Sequence, residues 1–462
     1  MKRVPPSPRI MLGFRCLGKI QRGILAVADC IQASFGFPAC RKRAVEVDFS
    51  GGAVSSNGGV LLLRAADRRL GLSAAAAGVL RDPRDPGRCR HSALAQLRQR
   101  LYGLALGYED LNDHGELRHD LALQTAVDRV APLASAPTLC RFEHWADRAT
   151  AVALNQVLIE QFIASFGAPP EEIVLDFDAT DVPVHGRQEG RFFHGYYDHH
   201  CFLPLYVFCG EQLLVAYLRP SKIDAAKHSW AILALLVRRL RQVWPRVRIV
   251  LRADSGFCRP QLLAWCERHG VGYILGLAKN PRLAALAEPW LADAKAGFAE
   301  TGEKQRRFGE FRYAAKTWSA ERRVIARVEH DRLGTNPRYV VTNLVDPPEA
   351  LYKEIYCARG DMENRIKEQF ELFADRTSCH NWWPNQFRLL LAGLAYSLLT
   401  AVRRLGLTGT ELARAQAGSI RLKLLKIGAV IWRNTRRIRF CLSSACPDKD
   451  LFAIVAQRLT AG

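Results

Sequence analysis

Asp176 and Asp178 sit inside the apolar run "IVLDFDAT", and Asp254 closes a second run, "RIVLRADSGF". Strand alternation puts Ile173, Leu175 and Phe177 on one face, with Val174, Asp176 and Asp178 on the other. An unpaired carboxylate in a core strand costs several kcal/mol, so it must neutralise, find a cation or bind a metal. A lone strand-end Asp has a plainer use as a turn or cap. Two such acids on neighbouring strands point to a metal site instead.

A third acid lies far downstream. "YCARGDMENRIKEQF" (356–370) packs mixed charge into one short stretch. On a continuous helix, at about 100° per residue, Tyr356, Arg359, Glu363, Lys367 and Phe370 share an arc of roughly 80°. Met362, Ile366 and Phe373 form the adjoining stripe that packs on a sheet, and Asp361, Arg365 and Glu368 point to solvent. Glu363 then faces the other acids between Arg359 and Lys367. A salt-bridged surface helix has the same charge pattern, but it leaves the in-strand aspartates unexplained. Asp178, Asp254 and Glu363 together make a hard-oxygen set suited to Mg²⁺ or Mn²⁺. Asp176 shares a face with Asp178 and is the alternative first ligand.

The elements that must position these acids follow from the pattern. "EEIVLDFDATD" (171–181), "LPLYVFCG" (203–210) and "EQLLVAYLRP" (211–220) read as strands, the last two as a hairpin. An amphipathic helix (224–244), a strand (246–257), the helix "RPQLLAWCERHG" and the strand "VGYILGLA" follow. Three antiparallel strands, then helix–strand–helix–strand, predict an α/β fold with a ribonuclease-H-like mixed sheet. A doubly wound fold would place a helix after its first strand. The core is expected over 170–281 and 338–400, interrupted by a β-rich insertion (282–337) and resumed by "RYVVTNL" (338–344). Residues 41–165 read as mainly helical after a short strand and turn at 41–58, with Ser135 or Thr138 as a helix cap. Short capped helices rich in Arg suit an end-binding region for DNA, and a plain helical subdomain shows the same pattern. Residues 401–462 read as a basic helical region: residues 401–440 hold ten Lys or Arg against the single Glu411.

The chain has 462 residues, 49% apolar content and a formal charge of +21. That is enough for two or three domains with proper cores. Basic residues are spread along the whole length, a field that attracts polyanions, nucleic acid first. A membrane partner is not expected: "LLLAGLAYSLLTAV" (389–402) is short for a spanning helix and fits a buried one. Residues 1–40 read as a basic extension, either an arm or translation from an upstream start. Thirteen Cys without a Cys-x-x-Cys pair read as free buried thiols in a reducing cytoplasm.

With these motifs in hand, the chain resembles a DDE transposase of a bacterial insertion sequence, specifically the insertion sequence 1380 family. The resemblance rests on "LDFDATDVPVHGRQEGRFFHGYYDHHCFLPLYVFCG", "LLRADSGFCRP", "GVGYILGLAKNPRL" and "YCARGDMENRIKEQ". "LALGYEDLNDHGELRHD" and "LASAPTLCRFEHW" extend it, so that it spans about residues 45 to 400. It implies a ribonuclease-H-like core with a β insertion between the second and third acids. It also implies two Mg²⁺ ions, replaceable by Mn²⁺, on Asp178, Asp254 and Glu363. Two such ions activate a water and stabilise the leaving oxygen at the transposon end, and the freed 3′-hydroxyl then attacks target DNA. The Tyr-x-x-Arg-x-x-x-Glu signature of related transposases falls on Tyr356, Arg359 and Glu363. A Lys often found seven residues after that Glu is Phe370 here, and Lys367 lies one turn earlier. Tyr356, Arg359, Lys367 and Arg252 are the expected DNA contacts. Trp318, among the cations of "FRYAAKTWSAERR", is a candidate for stacking on an unpaired base, although a packing role suits a large aromatic better. Family analogy further implies action on terminal inverted repeats and target DNA as a homodimer, in the bacterial cytoplasm at the nucleoid.

Two rival readings share these residues. "IVLDFDATD" fits the Asp-x-Asp-x-Thr motif of haloacid-dehalogenase-like phosphatases, but "GDMEN" does not follow a hydrophobic strand as their Gly-Asp does. A DNA-binding protein with a decayed active site is the other, against which all three acids are present. "HGRQEGRFFHGYYDHHC" carries His185, His194, His199, His200 and Cys201 at irregular spacing without a completing pair. It reads as a polar loop over the active site, with Asp198 a secondary contact.

Overall fold

The computed structural model describes residues 35–461, so all but the end of the 1–40 extension lies outside the described residues. Residues up to Gly52 form one unit and Ala53 onward a second, larger one. The first contributes an exposed hairpin, Phe35–Cys40 with Arg43–Val47, turned at Arg41 with φ 58°.

The larger unit is built on a mixed sheet. Its strands are β1 (Glu172–Ala179), β2 (Leu205–Cys209), β3 (Gln212–Tyr217), β4 (Arg248–Ala253) and β5 (Gly272–Leu277). Then come β6 (Gln305–Tyr313), β7 (Arg322–Asp331) and β8 (Arg338–Thr342). Their order across the sheet is β6-β7-β8-β5-β4-β1-β2-β3. β1 pairs antiparallel with β2, and β2 with β3, while β4 runs parallel to both β1 and β5. The crossovers are α1 (Ser229–Val243) and α2 (Pro260–Arg268). Each has an apolar stripe, with Leu233, Leu236, Val237 and Leu240 on α1 and Leu262, Leu263 and Cys266 on α2 buried against one sheet face. The sequence expectation of three antiparallel strands followed by helix–strand–helix–strand matches this order.

Three expectations need correction. Residues 282–337 begin with helices Pro281–Leu286 and Glu288–Thr301 before the β6–β7 hairpin. That hairpin is not a separate β module: β7 pairs with β8, which pairs with β5, so the insertion widens the main sheet. Residues 401–462 are not wholly helical either. Ala429–Arg433 and Ile438–Leu442 form a hairpin that also pairs with Val54–Ser55. Dense Arg on its exposed positions masked the alternation of "AVIWR" and "IRFCL".

On the other sheet face lies a helical core. The N-terminal helices Val60–Leu70, Ala93–Leu106 and Arg148–Ala164 share it with α4 (Trp382–Ala401). Ser135 occupies the N-cap position of the helix Ala136–Glu143 without a side-chain bond to the helix backbone; its hydroxyl meets that of Thr138 at 3.1 Å. The apolar helix is longer than the sequence run suggested: residues 382–407 are long and apolar enough to cross a membrane. Yet 83% of its most apolar 18-residue stretch is buried inside the protein, so its apolar surface is committed to this core.

Candidate functional site

The parallel pairing of β1 with β4 sets the first two acids side by side. Their last paired rung is Phe177 with Ala253, and Asp178 and Asp254 follow on each strand at the carboxyl end. In an open α/β sheet this edge is where chemistry is held. Asp254 Oδ1 accepts from Gly256 N at 2.8 Å, capping the short turn Ser255–Phe257. The cap that a lone Asp would explain is thus real, and one carboxylate oxygen remains outside it. Gly276 on β5 makes room for this turn: a Cβ there would meet Ser255 N at 2.7 Å and Tyr356 Oη at 2.8 Å.

The third acid arrives on α3 (Gly360–Glu371) after an irregular lead-in, a π-helix at Leu351–Tyr356 and a 3-10 turn at Cys357–Arg359. The single continuous helical face expected from Tyr356 to Phe370 is therefore broken in two. Arg359 and Glu363 nonetheless meet, Nη1 to Oε1 at 3.4 Å, and Arg359 Nη2 donates to Asp178 Oδ2 at 2.7 Å. Asp178 Oδ1 accepts from Ala179 N at 2.9 Å. Burial, together with the charges of Asp254 and Glu363, pushes the Asp178 carboxyl up to about 6 against the pull of Arg359. Burial alone would lower the Arg359 guanidinium, but Asp178, Asp254, Tyr356 and Glu363 outweigh it and raise it. All three acids therefore act electrostatically on one guanidinium.

Whether these residues suit a divalent ion depends on donor chemistry. Three carboxylates that share one counter-charge are hard-oxygen donors of the right kind. Among the described residues no three His, Cys, Asp or Glu side chains are grouped to hold a metal ion. At Asp178 and Glu363 the Arg359 guanidinium bonds to both and supplies positive charge there.

Asp176 is not free to be a ligand. Both its oxygens are held by Arg252, Nε to Oδ1 at 2.5 Å and Nη2 to Oδ2 at 2.7 Å. Arg252 Nη1 also donates to the Ile355 carbonyl oxygen. Arg252 is only 8% exposed, which removes it from the expected DNA contacts. It ties β1 and β4 to the segment that carries Tyr356 and Arg359, a positioning role that the sequence reading missed. Facing positions on parallel strands, Asp176 opposite Arg252, were the available signal. Glu368 is also corrected: it is fully buried and paired with Arg365 and Arg403, because the segment after α4 delivers Arg403 onto it. Lys367 is exposed as expected. Trp318 is half-buried, edge-on to Tyr313 at 5.5 Å and beneath the Arg322 guanidinium at 5.2 Å. Those contacts favour packing over stacking on a base.

The histidine-rich stretch forms a small sheet, Val182–Pro183 with His199–Phe202 and Phe192–His194, turned at Asp198 with φ 57°. His199 Nε2 pairs with Asp181 Oδ2 at 2.8 Å. Burial first, then the charges of Asp181 and Asp178, raise the Tyr197 hydroxyl in the turn of this sheet.

The chain belongs to the DDE transposases: the family model for the transposase DDE domain, group 1, matches residues 37–461. Transposases of this class are metal-dependent enzymes that cut and join DNA strands. Among solved structures, the piggyBac transposase synaptic complex with hairpin DNA is similar at TM-score 0.43 and 9% identity. That alignment covers 80% of this chain and 79% of that one. No curated protein matches the chain.

Proposed function

We propose that this protein is the transposase of a bacterial insertion sequence of the 1380 family, with a ribonuclease-H-like catalytic core. It binds the terminal inverted repeats, cleaves the ends and transfers the 3′-hydroxyls into target DNA, acting as a homodimer in the cytoplasm at the nucleoid. The observation that carries this reading is the Arg359 guanidinium bonded to both Asp178 and Glu363, where the paired parallel strands end in Asp178 and Asp254.

In this reading Asp178, Asp254 and Glu363 hold Mg²⁺, with Mn²⁺ able to substitute. Two bound ions supply a nucleophilic water and charge relief at the leaving oxygen. The protein's own work is positioning. The Asp176–Arg252–Ile355 link fixes the lead-in to α3, and Arg359 turns from its carboxylate partners to a DNA phosphate. Lys367 and Tyr356 contribute to the same backbone grip. The helical region 41–165 supplies end binding, supported by a cleft of about 520 Å³ that Arg84, Arg88, Arg90 and Arg118 line. The phosphatase reading fares poorly on one observation: its nucleophile would be Asp176, whose two oxygens are both committed to Arg252.

Asp254→Asn tests the proposal, with end DNA taken from the sequence flanking the reading frame. Binding, which depends on Lys and Arg at phosphates, is expected to persist while cleavage in Mg²⁺ falls at least 100-fold. Normal nicking by this variant would sink the metal assignment. Loss of a wild-type preference for the terminal repeats would sink the transposase reading itself.

A further inference from the structure

Beside the Asp254 turn lies a second cavity, of about 280 Å³, lined by Ser255, Gly276, Lys279, Arg327, Arg338, Tyr352 and Tyr356. Its size is at the lower end of small-ligand sites, enough for a phosphate and its sugar. Several features make it a built site. Arg327 on β7 and Arg338 on β8 are directly opposed in the sheet register, a like-charge pair that an anion between them would relieve, and Arg327 also lies 5.3 Å over the Tyr352 ring. Arg327 has one acidic partner, Glu329 at 3.2 Å, which is shared with Lys304 and Arg306. Its Nε is buried and without a partner.

Tyr339, next along β8, turns its ring to the opposite sheet face, against Phe311 in the other core, and leaves the cavity to the cations. Lys279 stands over the same space, held at Asn336 Oδ1 by a 3.0 Å bond. Burial, then Arg338 and Arg327, lower its pKa, the mark of cations lacking enough counter-charge. Tyr352 and Tyr356, with ring centroids 5.4 Å apart, give the wall an aromatic surface for a sugar or base.

We propose that this cavity is a nucleotide-phosphate subsite. Lys279, Arg327 and Arg338 hold one backbone phosphate of the DNA strand that runs past Asp254. This rests on the transposase reading for the identity of the strand. The anion chemistry stands on the cavity alone.

The test uses the full chain and thymidine 5′-monophosphate, with thymidine as control. Wild type should bind the monophosphate and not thymidine. Arg338→Ala and Lys279→Ala should each weaken binding at least 10-fold. On transposon-end DNA, Arg338→Ala should reduce the slope of log affinity against log salt by about one unit. Equal monophosphate binding by wild type and variants, or none by wild type, overturns the subsite. Monophosphate loss with an unchanged salt slope overturns its assignment to DNA. If the monophosphate results hold but wild type neither prefers nor cuts the terminal repeats, the transposase reading fails while the anion site stands.

Discussion

The Arg359 guanidinium donates to Asp178 Oδ2 at 2.7 Å and reaches Glu363 at 3.4 Å, so one side chain bridges an acid on β1 and an acid on α3 that lie far apart in the sequence. Both partners of the short contact are largely buried, at 16% and 12% side-chain exposure. Arg359 thus gives positive charge to a buried carboxylate and a more exposed one at the same time.

Arg359→Ala should therefore behave in opposite ways with and without metal. In EDTA it strips from a buried carboxylate its one cationic partner among the described residues, a loss of roughly 3 kcal/mol for breaking such a pair. With Mg²⁺ present, binding to the folded state returns stability. The rise in Tm between EDTA and Mg²⁺, followed by thermal denaturation, should be larger for Arg359→Ala than for wild type. Equal rises in wild type, Arg359→Ala and Asp178→Asn would show that Mg²⁺ binds elsewhere.

Much of this site was legible because carboxylates inside apolar runs are costly and must have a reason. Asp178, Asp254 and the Arg359–Glu363 pair could be named from spacing, and β1 to β5 from alternation. The failures share a cause, the pairing of charges across elements that sequence does not place together. Arg252 reads as a spare cation until β4 lies beside β1 and meets Asp176. Glu368 reads as solvent-facing until Arg403 is folded over it. The π and 3-10 turns before Gly360 were equally hidden, because a regular 100° step says nothing of a helix that changes its winding.

The Arg252–Asp176 pair gives a stability prediction with a built-in control. Arg252→Met leaves Asp176 buried and uncompensated, for a loss of about 3–5 kcal/mol in chemical denaturation. Adding Asp176→Leu should recover most of it, since the pair is then replaced by apolar groups. Neither change should alter the salt dependence of DNA binding. A reduced salt slope in the double variant would put Arg252 back on the DNA.

Trp318→Ala should cost about 2 kcal/mol, a half-buried aromatic's share of the usual Trp→Ala loss. The ring supports Tyr313 and lies under Arg322, which is itself locked to Glu267 by bonds of 2.6 and 2.8 Å. Cleavage of an end carrying an abasic position should not rescue the variant. Unchanged Tm with rescue by that substrate would instead make Trp318 a base-stacking residue.

His114 predicts the acid limb of stability. It is fully buried in the helical core, its ring nitrogens 3.1 Å from Gln99 Nε2 and Arg100 Nη1. Burial first, then the charge of Arg100, push its pKa down to about 3 from 6.5. The folded state therefore keeps it neutral while the unfolded chain protonates it near 6.5. Its contribution is complete above that value and drains away as pH falls towards 3. One proton taken up on unfolding sets the slope at about 1.4 kcal/mol per pH unit in that window. His114→Gln removes the titration, so urea unfolding between pH 6.5 and 4 should show a shallower loss than wild type. Parallel profiles for the two proteins would mean that His114 is already protonated, and paired, in the folded state.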